Sequence, residues 1–70
     1  MAEQPIASDR FMRRKEVERE TGLSRPTIYR QIAAKKFPPP RRIGVQAVAW
    51  LASEIEQWKR ERPVLRLDEQ

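Results

Sequence analysis

The chain contains no cysteine and no histidine. Their joint absence removes disulfides, thiolate nucleophiles, imidazole general bases and the usual zinc ligand sets, so no catalytic residue, metal or cofactor is expected. Long apolar runs are missing as well. The longest, Val45 to Ala52, is interrupted by Gln46 and falls far short of the ~20 residues that cross a bilayer; Met1 to Arg10 lacks the apolar stretch of a signal peptide. These absences fit a reducing, cytosolic compartment with no membrane partner and no small-molecule substrate.

Seventy residues allow one domain with a small core, stable by only ~3–5 kcal/mol. An apolar content of 39% and two tryptophans argue for a folded unit rather than a charged disordered chain. The formal charge of +5 is unevenly placed. From Arg10 to Arg42 eleven Lys and Arg face Glu16, Glu18 and Glu20, a net of +8, whereas from Ile43 onward four face five acids, a net of −1. A segregated basic stripe suits a polyanion, and Lys and Arg contacts to phosphates supply most nonspecific nucleic-acid affinity. An anionic membrane would attract the same stripe.

Residues 1–9 read as a flexible leader and 63–70 as a flexible tail after a proline stop, which places the domain at 10–62. Pro38-Pro39-Pro40 is a stiff extended connector that divides it. Before the connector, Phe11 and Met12 form an extended lead-in to a helix from about Arg14 to Glu20, stopped at Gly22, which takes the left-handed conformation after a C-terminus. Ser24 is an N-cap, with Leu23 and Ile28 placed as a hydrophobic staple and Pro26 in the first turn, for a second helix ending near Lys36. Ile28 and Ile32 are its buried stripe.

After the connector, Arg41-Arg42-Ile43 and Ala47-Val48-Ala49-Trp50 form a β-hairpin around Gly44-Val45, a type II′ turn. Ser53 then opens a last helix with Glu56 completing a capping box, ending at Arg62 before Pro63. Expected core residues are Val17, Leu23, Ile28, Ile32, Ile43, Val48, Trp50, Ile55 and Trp58. The two tryptophans could also serve as base-stacking platforms, but their strand and helix positions favour packing. Glu16, Glu18 and Glu20 point in different directions around a helix and have Arg13, Arg14 and Arg19 as charge partners, which argues against a metal site.

Two short helices joined through Glu20-Thr21-Gly22-Leu23-Ser24 match a helix-turn-helix, whose second helix is presented to a major groove. A helix ~10–12 Å across fits a groove ~12 Å wide. Combined with RRKEV, TGLS followed by TIYR, the FP-x-P segment, RIG, AVAW and SEIEQW, the stretch from Phe11 to Arg62 resembles the AlpA-type phage and prophage transcriptional regulators, relatives of excisionases and of the MerR-like DNA-binding domain. The resemblance implies a mainly α fold with a small β-hairpin, a winged helix-turn-helix, and regulation of phage-related genes in the bacterial cytoplasm at the nucleoid. Double-stranded DNA is the partner implied. A second copy of the chain, bound cooperatively or as a dimer, and an integrase are partners left open.

Carried over residue by residue, the resemblance puts Ser24, Arg25, Thr27, Tyr29, Arg30 and Gln31 on the recognition helix. Arg41, Arg42 and Gln46 fall on the wing, and Arg13, Arg14, Lys35 and Lys36 join them as backbone contacts. The family commonly carries a second small residue and a basic one at the wing tip, where this chain has Gly44-Val45-Gln46. Phosphate contacts are therefore expected from Arg41 and Arg42 at the wing's base. Arg25 and Arg30 stand as phosphate clamps, as guanine readers, or as solvated residues with Glu20 as a partner. Thr27 and Gln31 stand as base readers or ordinary polar surface, and Tyr29 as a phosphate donor, a lid on the core, or both. Two roles within DNA binding stay open, a transcriptional regulator and an excisionase-like factor that bends DNA for an integrase. A basic protein-interaction adaptor, with Leu65-Arg66-Leu67 as a contact, is the alternative of another class.

Overall fold

Gly22 and Ser24 make the first corner of the chain, and the rest of the fold is arranged around the two helices they separate. The computed structural model describes residues 9–67. The expected leader over 1–8 and the end of the expected tail, 68–70, lie outside the described residues. The elements are β1 (Phe11–Met12), α1 (Arg14–Thr21), α2 (Arg25–Ala33), β2 (Arg41–Gly44), β3 (Ala47–Leu51) and α3 (Ala52–Arg60). Three helices and an antiparallel sheet in the order β1-β3-β2 give the expected small, mainly α, winged helix-turn-helix.

At the corner, Gly22 has φ 76° and donates its N–H to the Glu18 carbonyl at 2.8 Å. Thr21 donates its hydroxyl to the Val17 carbonyl (2.8 Å) and accepts the Leu23 N–H (3.3 Å), so the turn's exposed backbone is covered locally. Ser24 caps α2 as expected, its Oγ accepting the Thr27 N–H at 3.4 Å, with Pro26 in the first turn.

The second helix ends earlier than expected. It stops at Ala33 rather than near Lys36, because Lys35 takes the left-handed conformation at φ 62°. The Lys36 N–H donates to Gln31 (2.8 Å) and the Lys35 N–H to Ile32 (3.0 Å), the bond pair of a Schellman motif with lysine where glycine is usual. This reversal turns Phe37 into the core, where it is 4% exposed and meets Trp58 edge-on at 4.9 Å.

The hairpin forms, with a different tip. Arg41 pairs with Ala49 and Arg42 with Val48, then the register skips Ile43 and resumes with Gly44 opposite Ala47. The turn residues are thus Val45 and Gln46, not Gly44 and Val45, and none of them has positive φ, so the expected type II′ turn is not formed. The bulge at Ile43 supplies the strand twist that a primed turn would otherwise provide. β3 also pairs with β1, Phe11 opposite Leu51 and Met12 opposite Trp50, which makes the lead-in the third strand.

The core is Met12, Val17, Ile28, Phe37, Trp50 and Ile55, with Leu23, Ile32, Ala52 and Trp58 packed against it. Expectation and structure agree except at Ile43 and Val48. Every residue of β2 is exposed, Ile43 at 41%, because this edge strand meets solvent, and Val48, paired with Arg42, is only half-buried. Met12, Phe37 and Ala49 take the vacated share of the burial.

The capping box of α3 is also overturned. β3 runs into α3 without a loop, so Leu51 occupies the N-cap, offers no side-chain bond, and leaves Ser53 as the second helical residue. The orphan N–H groups are met from the other end of the chain. Asp9, grouped above with the leader, accepts the Ser53 N–H at 3.0 Å and its hydroxyl at 2.8 Å, and the Arg10 carbonyl accepts the Ala52 N–H at 2.8 Å. Next to this cap, Arg10 donates to both carboxylate oxygens of Glu16 on α1.

Two substitutions should move stability in opposite directions. Asp9→Ala removes a helix cap and is expected to cost about 0.5–2 kcal/mol, seen as a lower urea midpoint. Lys35→Gly relieves a left-handed conformation that costs an L-residue roughly 1–2 kcal/mol, so the midpoint should rise; a fall would refute strain at this site. The Arg10 hydrogen bond and charge hold the Glu16 carboxyl below the usual carboxylate range. A depressed folded value stabilises the fold above the unfolded carboxyl's pKa, and that contribution is lost as pH falls through the folded one. NMR titration of Glu16 should show this, with Arg10→Ala returning the group toward its ordinary value.

Candidate nucleic-acid interface

α2 buries Ile28 and packs Ile32 on the core, which leaves its other faces to solvent. Ser24, Arg25, Tyr29 and Arg30 are exposed and Thr27 and Gln31 half-buried, so all six residues expected on this helix lie on or beside its open side. Spacing of three residues joins Ser24, Thr27 and Arg30 in one hydrogen-bonded row. Ser24 Oγ donates to Thr27 Oγ1 at 3.1 Å, and Arg30 Nη2 donates to the same oxygen at 3.1 Å. Thr27 thereby holds one edge of the guanidinium of the exposed Arg30.

Spacing of four joins the second pair. The Arg25 guanidinium lies 5.9 Å from the centroid of the Tyr29 ring, and that ring meets fully buried Trp50 edge-on at 6.4 Å. Tyr29 is therefore a lid on the core that stays partly exposed, and Arg25 rests on it. The suggested Arg25 or Arg30 pairing with Glu20 is absent. Glu20 binds Lys59 of α3 instead, Nζ to Oε1 2.9 Å, and among the described residues neither arginine of α2 has a carboxylate partner.

The wing arginines differ from one another. Arg41 is bound to Glu54 of α3 at 2.7 Å, so its charge is largely neutralised. Arg42 donates to the Val45 carbonyl at 2.9 Å and faces no acid, and Gln46 sits exposed at the tip beside Val45. Arg13 is exposed at the start of α1, whereas Arg14 is tied to Glu18 one turn on. Lys35 and Lys36 are exposed at the end of α2. Of the arginines expected to pair with the α1 acids only Arg14 does so; Arg13 and Arg19, and with them Lys15, which the sequence did not single out, are exposed without an ion-pair partner among the described residues, and only the tertiary pairing shows this.

Electrostatics follows this division. The Lys59 amino group is raised by its hydrogen bonds to Glu20 and Glu56, an ion-pair cluster that ties α1 to α3 and takes these acids out of the open face of α2. Among the described residues no group of acids could hold a metal ion, and no helix is long and apolar enough to cross a membrane. The arrangement offers cations without ion-pair partners among the described residues on α2, along α1 and at one wing position.

The family model described as prophage CP4-57 regulatory protein (AlpA) matches residues 10–63. Two relatives align with the chain. A protein of Enterobacteria phage P4, ORF88, is 47% identical over 53 residues, which are 76% of this chain and 60% of ORF88, so the chain spans about three-fifths of that relative. The DNA-binding transcriptional activator AlpA of Escherichia coli strain K12 is 36% identical over 59 residues, covering 76% of this chain and 84% of the activator. No solved structure matches. With the match running from the Arg10 of β1's approach to the Pro63 that follows α3, the whole helix-turn-helix and wing are included, and the chain belongs to the AlpA family of phage and prophage regulatory proteins.

Proposed function

We propose that this chain is a sequence-specific double-stranded-DNA-binding regulator of transcription of phage or prophage genes, acting on nucleoid DNA in the bacterial cytoplasm. One observation carries the reading: the open face of α2 presents Arg25 and Arg30, without acidic partners, beside Thr27 and Gln31. Family membership and the name of the K12 relative support it. α2 lies in the major groove, and Arg30, steadied by Thr27, reaches the O6 and N7 acceptors of a guanine, the commonest specific contact. Arg25, resting on Tyr29, takes a phosphate or a base edge beside it. Arg13, Arg42, Lys35 and Lys36 grip phosphates, which position the helix without reading sequence.

Site selection from a random duplex library tests this directly, because it returns both preference and half-site spacing. Arg30→Ala should flatten the preference at one base position, a loss of about 1–3 kcal/mol against the selected site and little against random DNA. Arg42→Ala should weaken binding to all sequences and lower the salt slope by about one unit, while Arg41→Ala, its charge already met by Glu54, should change the slope less. Equal losses on selected and random DNA for Arg30→Ala would remove base reading by this residue, and failure to retain duplex at physiological salt would remove the function.

A further inference from the structure

Between the end of α2, the proline connector and α3 lies an open groove of about 810 Å³. Ile32, Phe37, Pro38, Pro39 and Trp58 give it an apolar part, and charged and polar side chains from the end of α2 and from α3 make up the rest of its lining. Trp58 is only half-buried; Phe37 packs on its edge, and Arg62 lies over its ring, 4.5 Å from the centroid. Concavities of ~300–1,000 Å³ with such a lining are where ligands or short apolar segments bind. Lys35 and Lys36 stand exposed at the rim, with no ion-pair partner among the described residues, and the groove's Glu54 is already taken by Arg41.

Immediately beyond α3 the chain presents Val64, Leu65 and Leu67 at 81%, 75% and 68% exposure. Three large aliphatic residues stand exposed within four positions of the chain, a density of exposed apolar side chains above the single scattered ones of an ordinary surface. Asp68 and Glu69 follow them in sequence, opposite in charge to Lys35 and Lys36. The segment is badly placed for its own groove. Glu61 and Arg62 already line it, so the chain departs from the rim, and Pro63 fixes its own φ and restricts Arg62 against a reversal.

We propose that the groove receives residues 64–67 of a second copy of this chain, two copies exchanging tails about a two-fold axis. Reciprocal exchange fills both grooves, covers both aliphatic segments and closes the assembly at two copies. The acidic charge of positions 68 and 69, which follow the exchanged segment in sequence, complements Lys35 and Lys36 at the groove. The surface available is small beside the ~1,200–2,000 Å² of stable complexes, so the dimer comes apart on dilution.

Sedimentation velocity of the full chain, from micromolar to millimolar concentration without DNA, tests this. A reversible monomer–dimer equilibrium is expected, and tryptophan emission should follow the same curve, since Trp50 is fully buried and Trp58 lines the groove. The double substitution Leu65→Asp with Leu67→Asp should leave the thermal melt unchanged, both side chains being exposed, and weaken the dimer at least ~10-fold, the equivalent of 1.4 kcal/mol. Lys35→Glu with Lys36→Glu should weaken self-association, and mixing with a chain carrying Asp68→Lys and Glu69→Lys should restore part of it. A monomer at every concentration overturns the proposal, as does a dimer indifferent to the leucine substitutions. A concentration-independent change of emission on substituting the leucines would show the tail in its own groove and overturn it equally. None of these outcomes depends on DNA binding.

Discussion

The segment from Lys36 to Pro40 cannot satisfy its own backbone. Three consecutive prolines have no N–H to give, so the segment forms no ladder of its own, and each of its carbonyls turned toward the core must find a donor elsewhere or cost about 1–3 kcal/mol. Two indoles supply them. Trp50 of β3 donates to the Pro38 carbonyl at 2.8 Å, and Trp58 of α3 to the Lys36 carbonyl at 3.0 Å. The sheet and the last helix thus grip the stretch from Lys36 to Pro38, and the Phe37 ring between the two bonds is driven into the core. Because Tyr29 of α2 rests against Trp50, the same grip sets how α2 is presented.

A small core leaves much of the fold to charge and caps. Arg10 and Arg14 bind Glu16 and Glu18, Arg41 binds Glu54, and Lys59 bridges Glu20 and Glu56. Each of these pairs is exposed enough to contribute modestly by itself. Their collective effect is to use most of the domain's acids as struts away from α2. The net of +8 between Arg10 and Arg42 is therefore not a uniform film of charge; it is concentrated where ion-pair partners are missing among the described residues, on α2 and the lysines that follow it, at Arg42, and at Arg13, Lys15 and Arg19 beside and along α1.

Much of this was legible beforehand. Gly22, Ser24 and Pro26 announce a corner through backbone chemistry that acts within a few residues, and α1, the turn and the start of α2 follow. Where the physics was not local, the reading failed. Ser53 and Glu56 have the spacing of a capping box, yet a strand running straight into the helix moves the N-cap to Leu51, and Asp9 caps from 44 residues away. Ile43 alternates as a core residue should, but it lies at a bulge on an edge strand with nothing above it to bury it. Lys35 has no signature of a helix terminator, and only the demand to bring Phe37 inward explains its left-handed backbone.

Local order along the chain was enough to determine the two-helix corner, the hairpin, the last helix and the side of α2 that carries Arg25, Thr27, Arg30 and Gln31, because helix periodicity and turn chemistry act over a few neighbours. The tertiary structure alone decided which cations are neutralised, since Arg41 and Glu54 are 13 residues apart and Lys59 and Glu20 are 39 apart. It also decided that the first described residues and the last helix are one unit. Ion pairs and caps of this range exist only once the core has brought their partners together, and spacing in the sequence carries no record of that distance.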